Sequence, residues 1–333
     1  MGLREWVVKR TINNILTIIA VVVFVFFLFR IPVFFLGVDP ADLYLAANMK
    51  PEELDNLRRI YGIPTKNAGF AEWTEHFFKY LVNTLTFQFG ISFQTLRPVS
   101  YEIVQRLPNT LILLGISTAI TIMLSVYFGV TTASKHGSRT DVSIITVSLF
   151  LNVLPVFWLA MMALMVFGFY LNLFPVTGGS ISYPPPTDPL QYALDYLWHL
   201  TLPVIVLSIG GFGSLMLIMR NNVLGALTED YIVTARAKGL SDRIILYRHA
   251  LRNALLPLIT IIALSIAGLI GGAVFTETIF NWYGMGRFFF EASVSQDYPV
   301  LQALTYIFAI STVLANFFAD ILHGVFDPRV KYD

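Results

Sequence analysis

Long apolar runs alternate with polar segments along this chain. Several of the runs exceed the roughly 18 residues that a helix needs to cross a bilayer. The pattern therefore predicts an all-α polytopic membrane protein with six transmembrane helices. The predicted spans cover residues 13–36, 110–133, 142–171, 200–219, 258–280 and 300–322.

The segments before and after the first span differ in character. Residues 1–12 form a short basic lead-in that predicts an interfacial helix. Residues 38–107 mix charges with turn signals and predict a small extracytoplasmic insert of helices and loops lying on the membrane, with one helix near 70–87. The expected domains are 1–37, the insert over 38–107, and a core domain over 108–333 that contains the later spans.

Proline and glycine punctuate the later spans. Pro155 interrupts span three and predicts a kink there. Residues 174–189 are rich in proline, glycine and serine, so they are expected to be a loop, and the loop assignment extends to residue 199. Small residues in two spans predict that neighbouring helices approach closely. In span five this close approach is compatible either with helices that rearrange as a gate or with ordinary static packing. The small residues are Gly210, Gly211 and Gly213 in span four, and Ser265, Gly268 and Gly272 in span five.

Composition supports a membrane protein and excludes several kinds of chemistry. Hydrophobic residues make up 56% of the chain and charged residues 13%, against about 25% charged in soluble domains. The absence of cysteine excludes disulfides and thiol catalysis. A net charge of +1 implies no nucleic-acid partner.

No catalytic, cofactor-binding or metal site is expected. The five histidines lack metal-ligand spacing, and no GxxxxGK[ST] phosphate-binding loop occurs. A secondary transporter or channel would need charges deep in the membrane or inverted repeats. The only ionisable residues in or near spans are Arg30, Glu277 and Asp320, each close to an end. A secondary transporter or channel is therefore disfavoured.

The distribution of Lys and Arg predicts the orientation of the spans. The 175–199 loop has no basic residue and the 281–299 loop has only Arg287, whereas the other short loops and both termini are basic. Residues 38–107 carry seven basic residues, but long loops cross the membrane largely regardless of charge. Both termini and the polar stretch over residues 220–257 are therefore expected in the cytoplasm.

The stretch over residues 220–257, called the central polar segment below, stands out between apolar runs. Its basic residues outnumber its acidic residues Glu229, Asp230 and Asp242. A short helix near 231–238 is expected to present small and basic side chains, with Gly239 ending it and Ser241-Asp242 capping the next helix. The basic residues are Arg220, Arg236, Lys238, Arg243, Arg248 and Arg252.

This segment resembles the cytoplasmic loop of importer permeases of the ABC transporter superfamily, whose pattern is Glu-Ala-Ala, three residues, Gly. Val233 and Thr234 occupy the first two positions, and Pro257 comes five residues later than the general pattern has it. The whole run looks like the "B" subunit of the dipeptide/oligopeptide (peptide/nickel) branch: DYIVTARAKGL…LYRHALRNALLP. Further similar landmarks follow in order over about 240 residues: FGISF, RPVSYEIVQRLPNTL, LFPVTGG, WHLTLPVIVL, ETIFNWYGMGR, QDYPVLQAL and DPRVKY.

The resemblance implies the permease of a type I ABC importer in the cell membrane. Such a subunit is non-catalytic and forms a translocation pore with a second homologous permease subunit. It docks on two ATPase subunits, which bind ATP and Mg, so no cofactor is expected in this chain. The residues implied for docking are Tyr231, Ala235, Arg236, Ala237, Lys238, Gly239 and Leu240.

The implied docking helix has an alternative interpretation, because a basic amphipathic helix can also rest on anionic lipid. The aromatic loop containing Trp282, Tyr283, Gly284 and Gly286 is expected to be exposed. It suits either an interfacial belt or a surface facing an extracytoplasmic solute-binding protein. Di- or oligopeptides are the expected cargo, with oligosaccharides and nickel as alternatives.

Overall fold

Helices form the regular structure of the computed structural model, which describes residues 3–36, 69–255, 257–258, 261 and 273–326. Within this part of the chain there is no β-strand, so the predicted all-α class is confirmed. In chain order the helices are α1 (Leu3–Leu36), α2 (Phe70–Leu85), α3 (Val99–Ser134), α4 (Arg139–Val153), α5 (Val156–Ala163, continued by a π-helix over Leu164–Tyr170), α6 (Pro189–Leu227), α7 (Asp230–Ala237), α8 (Asp242–Ile244, a π-helix over Ile245–Ala250, then Leu251–Ala254), α9 (Val274–Ile279), α10 (Met285–Val294) and α11 (Tyr298–Phe326).

Four of the described helices, α1, α3, α6 and α11, are long and apolar enough to cross a membrane. Together α4 and α5 form one more candidate, but they are bent by 96° at their junction. The fifth predicted span, residues 258–280, lies mostly outside the described residues. The count of six spans therefore stays a prediction.

Pro155 breaks the third predicted span instead of kinking it. Proline disfavours helical backbone in the residue before it, and Leu154 is extended with ψ of 130°. Pro155 itself is extended and caps α5. The helix ends completely, and a new one starts in a different direction.

Several helices are longer than their apolar runs. The basic lead-in is not a separate helix, because α1 runs without a break from Leu3. Residues 189–199 belong to α6 and not to the predicted loop. Asp188 begins α6 by accepting a hydrogen bond from the Gln191 amide at 2.9 Å, and Pro189 fits the first helical position. Hydropathy detects the lipid-soluble part of a helix and misses polar turns at its ends.

The chain divides into two compact units. The first comprises Met1–Pro108, Ile270–Val274 and Gly284–Asp333, as far as these are described, and the second comprises Asn109–Leu269 and Phe275–Tyr283. The predicted boundary at 107/108 falls inside α3, which begins at Val99. The predicted domain limits otherwise stay predictions.

In the first unit, α1 and α11 pack against each other as an antiparallel pair. Arg10 near the start of α1 forms an ion pair with Asp320 near the end of α11. At the other end the rings of Phe29 and Tyr298 lie 6.2 Å apart. The core of this unit consists of Val22, Val99, Ile103, Met285, Phe288, Ala292, Val300, Ala303, Leu304, Tyr306 and Ile307.

In the second unit, small residues bring α6 close to its neighbours. A Cβ atom on Gly213 would lie 2.5 Å from the Ser148 carbonyl oxygen of α4. The Ser125 hydroxyl of α3 donates a hydrogen bond to the Phe212 carbonyl at 3.0 Å. Gly210 and Gly211 also face neighbouring side chains within 3.5 Å of their would-be Cβ atoms. The predicted close approach at the span-four glycines is therefore confirmed.

We predict that Gly213→Ala destabilises the protein whereas Gly225→Ala, in the same helix, does not. The added methyl at position 213 must displace the α4 backbone, which costs about 1–3 kcal/mol. At position 225 a Cβ meets nothing within 4 Å, and alanine favours helix over glycine by up to about 1 kcal/mol. Thermal unfolding of the detergent-purified variants measures the difference. Equal unfolding temperatures would contradict this packing.

Candidate functional site

The central polar segment folds as two short helices joined by a turn. Helix α7 starts after an extended residue, Glu229, and ends at Ala237, close to the expected 231–238. Helix α8 starts at Asp242, as predicted, although the Ser241 side chain forms no capping hydrogen bond with it. A π-helix over Ile245–Ala250 interrupts α8. Such interruptions often occur at functional positions.

One face of α7 is buried in its own chain. Ile232 and Ala235 are 1% and 5% exposed, and they pack into an apolar cluster at the ends of α3 and α6. The expectation that Ala235 lies on the exposed face is therefore wrong. Its three-residue spacing from Ile232 places both on one side of the helix, facing the cluster. The cluster contains Val130, Ala133, Leu215, Met219, Val223, Ala226, Ile232, Ala235, Ile245, Ala250, Ala254 and Leu258.

The opposite face of α7 is exposed and carries apolar and basic groups. Tyr231 and Val233 are exposed at 37% and 63%. The exposed positions Arg236, Ala237 and Lys238 lie near the end of the helix, where basic groups interact favourably with the helix dipole. Of the residues predicted for docking, all except the buried Ala235 and the half-buried Leu240 are thus accessible.

Gly239 ends α7 in the way that the sequence predicts. Its φ of +75° is in the left-handed region that favours glycine. The Gly239 amide donates to the Arg236 carbonyl at 2.9 Å, and the Leu240 amide donates to the Ala235 carbonyl at 3.3 Å. This pair of hydrogen bonds is a Schellman motif. The motif is completed by an apolar contact, because Leu240 packs against the cluster that contains Ile232 and Ala235.

The exposed side of α8 adds three arginines to the exposed basic residues of α7. Ile245, Ala250 and Ala254 are buried in the cluster, while the arginines of α8 point away from it. The Asn222 side chain of α6 donates a hydrogen bond from Nδ2 to the Ala254 carbonyl at 3.4 Å. The exposed basic residues of α7 and α8 are Arg236, Lys238, Arg243, Arg248 and Arg252. We call these five residues the basic surface.

Arg220 does not belong to the basic surface, although the sequence groups it with the other basic residues. Its guanidinium donates two hydrogen bonds to the Asp141 carboxylate, at 3.0 and 2.9 Å. Asp141 also accepts from the Gly137 amide at 3.0 Å, and the His136 ring lies 2.8 Å from Arg220. Such bidentate, charge-assisted bonds are strong. They join the start of α4 to α6.

Sequence reasoning missed Asp141. A signal for it was present, because Ser138 and Asp141 have the spacing of a helix start. The Ser138 hydroxyl accepts a hydrogen bond from the Asp141 amide at 3.2 Å. The sequence therefore marked the beginning of α4, but it offered no way to pair Asp141 with an arginine 79 residues away.

The aromatic loop is packed, and the expectation of an exposed loop is wrong for most of it. Trp282 is fully buried, and its Nε1 donates to the Asn109 carbonyl at 3.1 Å. The Asn109 side chain donates to the Tyr283 carbonyl at 2.8 Å and accepts from the Tyr196 hydroxyl at 3.0 Å. Tyr283 remains 39% exposed.

Gly284 and Gly286 belong to the start of a helix and not to the expected exposed loop. Gly284 caps α10 and Gly286 is buried inside it. A Cβ on Gly286 would lie 2.8 Å from the Val274 amide nitrogen. The small residue is therefore required for contact with the backbone of its own unit.

Other expectations concern buried ions and packing in span five. Glu277 is fully buried and accepts a hydrogen bond from the Thr110 hydroxyl at 3.0 Å. In the part of the chain that the structure describes, no group of three or more His, Asp or Glu residues could hold a metal. The predicted packing residues Ser265, Gly268 and Gly272 lie outside the described residues.

Comparison with known proteins identifies relatives over almost the whole length. Residues 125–332 match the family model described as "Binding-protein-dependent transport system inner membrane component". Residues 3–114 match the model for the N-terminal part of the membrane component of such systems.

Individual relatives are similar over nearly their full length. The oligopeptide transport system permease protein AppB of Bacillus subtilis is 34% identical over 328 residues, covering 98% of this chain and 99% of the relative. The dipeptide transport system permease protein DppB of Alkalihalophilus pseudofirmus is 33% identical over 311 residues, covering 88% and 90%. A putative peptide permease protein of Brucella ovis is 35% identical over 298 residues, covering 88% and 89%.

We predict that Gly239→Val loosens the end of α7 and that Gly239→Asn does so far less. A β-branched residue is strongly disfavoured at positive φ, at a cost of about 1–2 kcal/mol, whereas asparagine visits this region. No neighbouring atom lies within 4 Å of a would-be Cβ at this position, so the conformation alone decides the effect. Hydrogen exchange of the α7 amides measures it. Equal protection in both variants would contradict the role of Gly239.

Proposed function

Because this chain belongs to the family of inner membrane components of binding-protein-dependent transport systems, we propose that it is the permease subunit of an ATP-driven peptide importer. The family predicted from the pattern around Gly239 is confirmed. The chain is accordingly a multi-pass membrane protein and a non-catalytic transport component, which works with a binding protein. The identity of its ATPase and permease partners, its orientation in the membrane and its cargo are part of the proposal.

The observation that supports coupling is the two-sided character of α7. Ile232 and Ala235 fix one face in an apolar cluster with α3 and α6, so a force on α7 is transmitted to long helices of the same unit. The other face leaves Tyr231, Val233 and Arg236 accessible. A helix that is fixed on one side and open on the other suits docking in a groove of another protein.

The proposed partner is an ATPase subunit with an acidic rim around an apolar groove. The basic surface would pair with the rim, and Tyr231 and Val233 would enter the groove. Two such ATPases would bind ATP and Mg and drive this subunit together with a second, homologous permease subunit. A pore between the two permeases would open alternately to each side of the membrane.

The proposed orientation places α7, α8 and both termini in the cytoplasm. Basic residues concentrate in short cytoplasmic loops, and the basic surface is exposed and rich in arginine. An extracytoplasmic binding protein would deliver cargo at the opposite side. Anionic lipid is the alternative contact for the basic surface. The two contacts are distinguished by whether a change in this surface alters the coupling between ATP hydrolysis and uptake.

We predict that Arg236→Glu uncouples ATP hydrolysis from uptake, while Lys135→Glu does not. Both exposed residues undergo the same change of charge, but Lys135 lies outside α7. Reversing a charge opposite an acidic rim costs about 1.4 kcal/mol or more, which is a tenfold loss of affinity. Uptake and substrate-stimulated ATPase activity are measured in liposomes containing the assembled transporter.

Arg236→Glu must remain membrane-inserted at the normal level for this comparison to count, which the exposed position favours. Normal uptake by Arg236→Glu would contradict docking through α7. An equal loss in Lys135→Glu would indicate a general effect of negative charge at the membrane surface, which also contradicts it.

The proposed cargo is di- or oligopeptides. The support is that similar proteins over 88–98% of this chain are named as peptide, dipeptide or oligopeptide permeases. No described residue favours oligosaccharides or nickel over peptides, so neither is advanced as a second function.

We predict that deleting this chain abolishes uptake of a labelled tripeptide and leaves uptake of the free amino acids unchanged. In the intact system, unlabelled peptides are expected to compete with the tripeptide, whereas maltotriose and Ni²⁺ are not. Retained tripeptide uptake in the deletion strain, or competition by maltotriose or Ni²⁺ alone, would contradict a peptide cargo without affecting the proposed coupling through α7.

A further inference from the structure

Helix α2 has three faces of different chemistry. At about 100° per residue, Phe77, Tyr80 and Thr84 share one side of the helix. Phe78, Val82 and Leu85 form a second stripe, which we call the apolar stripe, a little over a third of a turn away. The three residues of the apolar stripe are 58%, 58% and 46% exposed. The remaining side is polar and includes Glu75, Lys79 and Asn83.

The first face of α2 fixes the helix to α1. The Phe77 and Tyr80 rings lie 5.1 and 5.2 Å from the ring of Phe26, and Thr84 is buried. The described ring contacts between the two helices converge on Phe26. Helix α2 therefore meets α1 at one level along its length.

That level can be located relative to the membrane from within the first unit. Arg10 and Asp320 form the charged pair at one end of the α1–α11 pair, and charges of this kind belong at a membrane face. Phe26 is sixteen residues beyond Arg10, which is about 24 Å at 1.5 Å per residue. The hydrocarbon core is about 30 Å thick. Phe26 thus lies just inside the opposite face.

The depth of Phe26 fits the polarity of α2. A helix that meets α1 near the edge of the hydrocarbon can place an apolar stripe in the acyl chains and charged groups in water. Glu75 and Lys79 are exposed and pair with each other at 3.2 Å. These charges would oppose full insertion of α2, and the apolar stripe would oppose full solvation.

Helix α1 also exposes apolar side chains at the depth where it meets α2. At the level of Phe26, the α1 side chains of Phe24, Phe27 and Leu28 are 64%, 48% and 47% exposed. In a multi-pass membrane protein this part of α1 lies at the depth of the acyl chains. Phe24 and Leu28 lie on the side of α1 away from Phe26, so the sides of α1 that α2 does not cover are suited to lipid at this depth.

We propose that α2 is an interfacial membrane anchor, with Phe78, Val82 and Leu85 inserted among the lipid acyl chains next to α1. The anchor would hold the segment between α1 and α3 at the membrane surface. This inference depends on the membrane location of the chain and not on its peptide cargo or its coupling through α7. It gives the predicted insert a mechanical role, because α2 also packs against a transmembrane helix.

Site-directed spin labelling tests this inference directly, because the chain has no cysteine. Four single variants of the full transporter are labelled: Phe78→Cys and Val82→Cys on the apolar stripe, with Glu75→Cys and Asn83→Cys as controls on the polar side. Each complex is reconstituted in vesicles of phosphatidylethanolamine and phosphatidylglycerol. Collision of the label with oxygen, which concentrates in hydrocarbon, is compared with collision with a water-soluble nickel chelate.

We expect the ratio of oxygen to nickel collisions to be high at positions 78 and 82 and low at positions 75 and 83. A low ratio at all four positions would place α2 in water and overturn the proposal. Shielding of positions 78 and 82 from both reagents would show that a protein covers the apolar stripe, which overturns it equally. If Phe78→Cys does not assemble, added quenching of Phe78→Trp by brominated phospholipid, relative to the unsubstituted transporter, decides in the same way.

Discussion

The apolar cluster at the ends of α3 and α6 is the interaction on which the coupling argument depends. Two short helices, α7 and α8, would have little stability in water on their own, because isolated helices shorter than about 12–15 residues are marginal. Ile232 and Ala235 of α7, and Ile245 and Ala250 of α8, are buried in that cluster. Packing therefore fixes the position of both helices. It also determines which face of α7 remains exposed, because Ile232 and Ala235 occupy the other face.

A polar contact supplements this apolar one in the same unit. The Arg220 guanidinium joins α6 to the Asp141 carboxylate at the start of α4 with two short bonds. Gly213 brings the backbones of α4 and α6 together further along. These contacts make α4 and α6 a close pair, and α6 continues into the polar segment that carries α7. Motion imposed on α7 would thus reach more than one long helix.

The sequence predicted the apolar cores of the helices, the position of the interruption at Pro155, although as a kink and not a break, and the end of α7 at Gly239. These features depend on local chemistry: lipid solubility, a missing amide hydrogen and a backbone with positive φ. The sequence did not predict the extension of α6 back to Pro189, the pairing of Asp141 with Arg220, or the burial of Trp282 against Asn109. Each of these depends on contacts between distant residues or on polar turns, which hydropathy does not detect.

The burial of Ala235 changes how the small residues of the central polar segment are understood. The sequence predicts that Ala235 and Ala237 are both among the small side chains that α7 presents for docking. In the folded chain Ala235 is 5% exposed in the cluster with Ile232, so its small size is explained by packing within the subunit. Ala237 lies on the accessible face, beside the basic residues Arg236 and Lys238. A small residue at 235 is then required for the position of α7, and only the one at 237 is available to make room for a partner.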